Sequence, residues 1–179
     1  GFALETIANK ASFEEMLYLL WHDKLPTSRQ LQSFQQDLAR YRQLPELTMT
    51  LLHEAARQQA DTMDVLRMAT DTLSVTLPKD DSHQQALAAV AAAPTIVASY
   101  WRLLHDQTPV APQADLGHAA NYLYMLSGEA PSADRVRGME TYLNTVVDHG
   151  LNASTFAARV IIATQSDMIS AVVGAVGAL

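Results

Sequence analysis

Ser12-Phe13-Glu14-Glu15-Met16-Leu17-Tyr18-Leu19-Leu20 is the stretch from which the fold class can be read. A Ser hydroxyl can accept the backbone N–H three residues on, while the Glu at that third position reaches back to the Ser N–H. This reciprocal pair, the capping box, satisfies two donors that a helix start otherwise leaves free. The apolar residues Phe13, Met16, Leu17, Leu19 and Leu20 follow, and the helix must stop before Pro26. Thr27-Ser28-Arg29-Gln30 repeats the start signal, and Leu31, Phe34, Leu38 and Tyr41 then recur at three- and four-residue spacing, one face of an α-helix.

The same grammar extends in both directions. Pro45, at a first-turn position, opens a segment with Leu47, Leu51, Leu52 and Ala55 on one side. Asp61 caps the next, which carries Met63, Leu66, Ala69 and Leu73. Ser82-His83-Gln84-Gln85 reads as a third capping box before the run Ala86–Ala93, and Pro94 is expected to bend or interrupt that helix. Asp115 is expected to cap a helix through Leu126, closed by Ser127-Gly128. After Pro131 and Ser132 comes an amphipathic helix with Val136, Met139, Leu143, Val146 and Val147 inward, ending at Asp148-His149-Gly150. Asn152 or Ser154 caps the following helix, and Ser166 or Asp167 the last. Only the first ten residues leave room for a strand. The expected class is all-α, a multi-helix bundle.

Composition narrows the function. The chain has 179 residues, 49% of them apolar, with only 7 Gly and 7 Pro, which predicts a packed core. A net charge of −7 argues against a nucleic-acid partner, since phosphate backbones are met by basic faces. With no Cys there are no disulfides, zinc fingers, iron–sulfur sites or thiol chemistry, which fits a cytoplasmic protein. The longest apolar stretch, Ala171–Leu179, is far short of the roughly 20 residues that span a bilayer, so no membrane partner is expected. Glu5 and Glu14 interrupt any signal-peptide pattern. The chain opens at Gly1 without Met and stops inside an apolar run, so it reads as a piece of a longer protein.

Candidate chemistry rests on histidines. No glycine-rich phosphate loop is present, and no Glu-x-x-His or His-x-x-x-His pair falls on a helix, so no metal site is expected. His22, His53, His83 and His105 fall on polar faces or helix ends, where His is ordinarily structural. His149 sits between two helices beside Gly150, which permits a tight left-handed turn. A side chain placed so can serve as a rigidly aimed proton donor or as a cap for free helix carbonyls, and composition alone favours the cap. His118 shares a half-apolar face with Tyr122 and Met125, a placement that suits a hydrogen-bonded core residue or a ligand contact.

Asp148-His149-Gly150-Leu151-Asn152-Ala153-Ser154-Thr155-Phe156 resembles the catalytic-histidine segment of the citrate synthase family. The resemblance runs through Phe13–Leu20 with Leu25-Pro26-Thr27, Met63–Arg67, Ala93–Ile96, His118–Leu126 with Gly128-Glu129, and Ser166–Leu179, and so covers essentially the whole chain. It implies an α-helical homodimer in which acetyl-CoA, a co-substrate rather than a bound cofactor, condenses with oxaloacetate to give citrate and CoA. It assigns His149 as the catalytic His that hydrogen-bonds the thioester oxygen, and His118, with His149, as an oxaloacetate contact. It places residues 1–149 in the family's large helical domain and 150–179 at the start of its small domain. The family's second His would follow Leu179 directly, with the Asp base, the carboxylate-binding arginines and most CoA loops beyond it, so the chain by itself is expected to be inactive. Two positions depart from the common pattern. Gly150 replaces a frequent Glu, as in some bacterial relatives, and His22 stands where an early turn often has Gly. A 2-methylcitrate synthase acting on propionyl-CoA fits the same residues, and a non-catalytic helical dimerisation module is the alternative of a different class.

Overall fold

The computed structural model describes residues 1–148 and 150–179. Ten α-helices and no strand occur among the described residues: α1 (Leu4–Ile7), α2 (Phe13–His22), α3 (Ser28–Ala39), α4 (Glu46–Arg57), α5 (Thr62–Thr72), α6 (Ser82–Leu104), α7 (His118–Ser127), α8 (Ala133–Val146), α9 (Ala153–Ala163) and α10 (Met168–Val176). A 3-10 turn, Leu73–Val75, continues α5. The segment that left room for a strand holds α1 instead.

Most helix starts are where local chemistry puts them. Ser12 and Thr27 form complete capping boxes with Glu15 and Gln30. Asp61, Ser132, Asn152 and Asp167 each accept a backbone N–H two or three residues on. Pro45 stands one residue earlier than expected, at the N-cap of α4. Gly128 ends α7 at φ +80°, a left-handed position that a side chain would strain.

Four expectations are corrected. Ser82 is not a cap: Asp81 takes that position and accepts the Gln84 N–H. The box partner Gln85 is buried and donates to the Pro78 carbonyl instead. α6 is not interrupted at Pro94 but runs through it for 23 residues. An interior Pro costs about 3 kcal/mol in an isolated helix; here Ala91, Ala92, Ile96, Ala98 and Tyr100, all buried around it, hold the helix in place. Asp115 does not cap α7, which begins three residues later. Val146 is not inward but 53% exposed; the one buried residue of α8 is Asn144, whose amide donates to the carbonyls of Ala8 and Ala11.

α6 is the central element. One side packs with α4, α5 and α10 around Leu52, Val65, Ile96 and Ile169. Another packs with α2 and α3 around Phe13, Leu17, Phe34, Leu38 and Leu87. Leu52, Val65 and Ile169 are fully sequestered, each contributing about 1.5–3 kcal/mol. α6 is long and apolar enough to cross a membrane by length and composition, but half of that stretch is buried within this bundle. α7 and α8 lie against each other and against α2.

α10 seats on α5 and α6 with Ile169 and Ala171 buried. Ile161, Val172, Val173 and Val176 are half-buried, whereas Val160 and Ile162 are exposed.

Candidate functional site

α2, α6, α7 and α8 enclose an open groove of about 470 Å³ that is almost wholly apolar. Its walls include Phe13, Val90, Pro94, Tyr122 and Met139, and His118 faces into it. His118 is the first residue of α7. Its ring stacks on Phe13 with centroids 4.6 Å apart and planes at 25°. Burial, and secondarily the positive charge of Arg42, lower its pKa to about 4. At neutral pH the imidazole is therefore uncharged, with one nitrogen able to donate and the other to accept. Among the described residues neither ring nitrogen has a protein partner. Burial, with a smaller contribution from Tyr142, raises the pKa of Tyr122, so its hydroxyl is also a neutral donor.

The support beneath His118 comes from distant sequence. The carboxylate of Glu14, on the buried face of α2, accepts the His118 backbone N–H at 2.8 Å. Arg42, 2% exposed, donates through Nη1 to the carbonyls of Gln113 and Leu116, at 2.7 Å each, and so straps down the loop that leads into α7. Asn121 accepts the Gln113 N–H at 2.8 Å from the other side. Neither Glu14 nor Arg42 was expected from sequence. The signal for Glu14 was nevertheless present: it lies three and four residues before Leu17 and Tyr18, so it shares their buried face.

His149 lies outside the described residues. Its flanks are ordered by local bonds. Gly150 has φ +73°, in the left-handed region read for it from sequence, and donates to Asp148 Oδ1 at 2.8 Å. Asn152 caps α9 by accepting the Thr155 N–H at 2.7 Å.

Three of the other histidines have the ordinary roles assigned to them. His22 packs on Tyr18, His83 on Trp21, and His105 on Trp101, with His105 Nδ1 also bonded to the Trp101 carbonyl. Among the described residues no group of three His, Asp or Glu side chains could hold a metal ion.

Comparison with known proteins agrees with this architecture. The sequence family described as "Citrate synthase, C-terminal domain" matches residues 1–179. A citrate synthase of Haloferax volcanii is 37% identical over 188 residues, covering 100% of this chain and 50% of that protein. A 2-methylcitrate synthase of Mycobacterium tuberculosis is 38% identical over 183 residues, covering 100% of this chain and 46% of that protein. The chain thus spans about half the length of the relatives it matches. Among solved structures, citrate synthase from Pyrobaculum aerophilum superposes with a TM-score of 0.86 at 33% identity, over 99% of this chain and 48% of that one. At 24% identity, the Thermoplasma acidophilum enzyme in ternary complex with carboxymethyl coenzyme A and oxaloacetate shares the fold, with a TM-score of 0.91 over 100% of this chain and 48% of that one.

Proposed function

This chain belongs to the citrate synthase family, and we propose that the whole protein condenses acetyl-CoA with oxaloacetate to give citrate and free CoA. The observation that carries the reading is His118: a neutral imidazole held at the start of a helix, facing an apolar groove, with no partner for its ring nitrogens among the described residues. In this reading His118 hydrogen-bonds oxaloacetate. A neutral donor suits that role, because it adds directionality without bringing a buried charge that would itself need pairing.

His149 is the catalytic group in the same reading, and also touches oxaloacetate. A thioester α-proton is too weakly acidic for a carboxylate to remove unaided. The oxyanion that develops needs a donor already in position, the role His149 takes in this reading. The new carbon–carbon bond joins the acetyl methyl carbon to the oxaloacetate carbonyl carbon. Hydrolysis of the thioester then releases CoA. Acetyl-CoA is consumed as co-substrate, and no resident cofactor or metal is called for. Residues 1–149 belong to a large domain and 150–179 begin a smaller one.

The protein works as a homodimer in this reading. Tyr142 of α8, which lines the groove, is 61% exposed, and Val146, four residues on along the same helix, is 53% exposed, apolar surface of the kind a second copy covers. Sedimentation equilibrium of the full-length protein at micromolar concentration should give twice the monomer mass.

The direct test is release of free CoA by the full-length protein with oxaloacetate, comparing acetyl-CoA with propionyl-CoA. The reading predicts a higher kcat/KM for acetyl-CoA. Preference for propionyl-CoA would make it a 2-methylcitrate synthase, and release with neither would overturn the enzymatic reading. Discrimination should be modest, since one methylene changes pocket affinity by only about 1–3 kcal/mol.

A further inference from the structure

The start of α7 has no cap of its own. Gly117 occupies the N-cap position and has no side chain to accept the first N–H groups. The acceptor is supplied from α2: Glu14 Oε1 takes the His118 N–H at 2.8 Å, across 104 residues of sequence. Glu14 is 1% exposed, so this carboxylate was taken out of water to do it. Such burial is costly unless the charge is answered by donors and opposite charge. The answering groups are here the helix start itself, with its partial positive charge, and the nearby guanidinium of Arg42. The neighbour of Glu14 in sequence, Phe13, stacks on the imidazole of the same His118. Two consecutive residues of α2 thus hold one residue of α7: Phe13 stacks on the His118 ring, and the Glu14 carboxylate accepts the His118 backbone N–H. A Cβ on Gly117 would lie 3.5 Å from Glu14 Oε1, so the helix start and the carboxylate are in direct contact.

We propose that Glu14 is a positioning residue for the oxaloacetate contact: its carboxylate replaces the missing N-cap of α7 and fixes where the His118 imidazole is presented to the groove. The inference rests on the reading of His118 as a substrate contact. Losing the bond lets the first turn of α7 fray, and the imidazole, borne on the first residue of that turn, moves with it. Glu14 then acts on substrate binding only through where it places His118.

The test is steady-state kinetics of the full-length protein carrying Glu14→Asp, Glu14→Gln, Glu14→Ala, His118→Ala, and Glu14→Ala with His118→Ala. Glu14→Gln keeps an oxygen at the same reach, whereas Glu14→Asp keeps the charge but draws it back by one methylene. Positioning predicts that Glu14→Asp and Glu14→Ala raise the oxaloacetate KM by about 10–10²-fold. The acetyl-CoA KM should stay within about twofold, and Glu14→Gln should lie close to wild type. It also predicts that Glu14→Ala adds nothing to His118→Ala. Should Glu14→Ala not fold, the order of the Asp and Gln variants decides. Glu14→Asp near wild type with Glu14→Gln impaired would overturn the inference in favour of a purely electrostatic role, and multiplying effects in the double variant would overturn it as well. An unchanged oxaloacetate KM in His118→Ala would instead remove the functional reading of His118. In that event amide hydrogen exchange at the start of α7 still reports on the cap: faster exchange in Glu14→Asp than in Glu14→Gln supports it, and equal exchange contradicts it.

Discussion

Gln85 of α6 and Met168, the first residue of α10, are joined at 2.7 Å: Gln85 Oε1 accepts the Met168 backbone N–H across 83 residues of sequence. The same amide donates through Nε2 to the Pro78 carbonyl. One buried side chain therefore satisfies the entry loop of its own helix and the start of the last one.

Gln85→Leu should accordingly destabilise the protein by about 1–3 kcal/mol, because it removes the buried partner of the Pro78 carbonyl and of the Met168 N–H. Urea unfolding measures the loss. Hydrogen exchange should localise it to α10 before the rest of the bundle, and uniform acceleration across all helices would contradict the clasp.

Asn144 offers a second polar anchor. Its Nδ2 donates to Ala8 and Ala11, at 3.0 and 2.9 Å, and so ties α8 to the segment before α2. Asn144→Leu should cost about 1–3 kcal/mol, because it strips the Ala8 carbonyl of its donor and leaves the Ala11 carbonyl with Arg137 Nη1 alone. Asn144→Asp should be worse at neutral pH, since a carboxylate would face two carbonyl oxygens. Burial raises the folded-state pKa of such an Asp above its unfolded value, so the variant is most stable below the unfolded pKa and loses stability as pH rises through the folded one. Unfolding midpoints that do not change with pH would count against this geometry.

These two anchors show what the sequence makes visible. Ser12, Thr27, Asp61, Ser132, Asn152 and Asp167 are legible as caps because their partners are two or three residues away. The same local pattern misleads at Ser82, where the adjacent Asp81 competes for the same job. It misleads again at Asp115, because the acceptor that starts α7 comes from Glu14. An interruption at Pro94 and an inward Val146 fail for a related reason: tertiary packing around α6 keeps the helix continuous through Pro94, and α8 buries Asn144 in place of an apolar neighbour. His118 is legible as a candidate from its half-apolar face. Its neutral state is not, because that follows from burial and from Arg42, which are brought near only by folding.

The close approach of α9 and α10 makes a packing prediction. A Cβ on Gly174 would lie 2.1 Å from Ile161 Cδ1 but 3.6 Å from Cγ1, so the obstacle is one terminal methyl. Gly174→Ala alone sets this clash against the better helix propensity of Ala and should be neutral to destabilising. In an Ile161→Val background, which removes that methyl, the same substitution should stabilise by up to about 1 kcal/mol. Thermal melts of the four proteins test this, and equal effects in both backgrounds would show that the helices do not meet there.

The lowered pKa of His118 predicts a pH signature. In the unfolded chain the ring takes a proton below about 6.5, whereas in the folded protein it does so only near 4. Between those values the unfolded state binds the extra proton, so stability falls as pH drops through this window and levels off below it. The slope is at most about 1.4 kcal/mol per pH unit. His118→Gln should flatten this portion of the stability curve, measured by urea unfolding from pH 4 to 7. An unchanged slope would mean that the imidazole is not held neutral.

The proposed condensation is tested most directly by the turnover of the full-length protein with acetyl-CoA and oxaloacetate, measured beside its His149→Ala variant. A fixed donor to a developing oxyanion typically contributes about 10²–10⁴-fold. The predicted result is therefore citrate formation by the unmodified protein and a loss of that size in kcat for the variant, with a smaller change in oxaloacetate KM. Wild-type turnover in His149→Ala, or no citrate from the unmodified protein, would contradict the account.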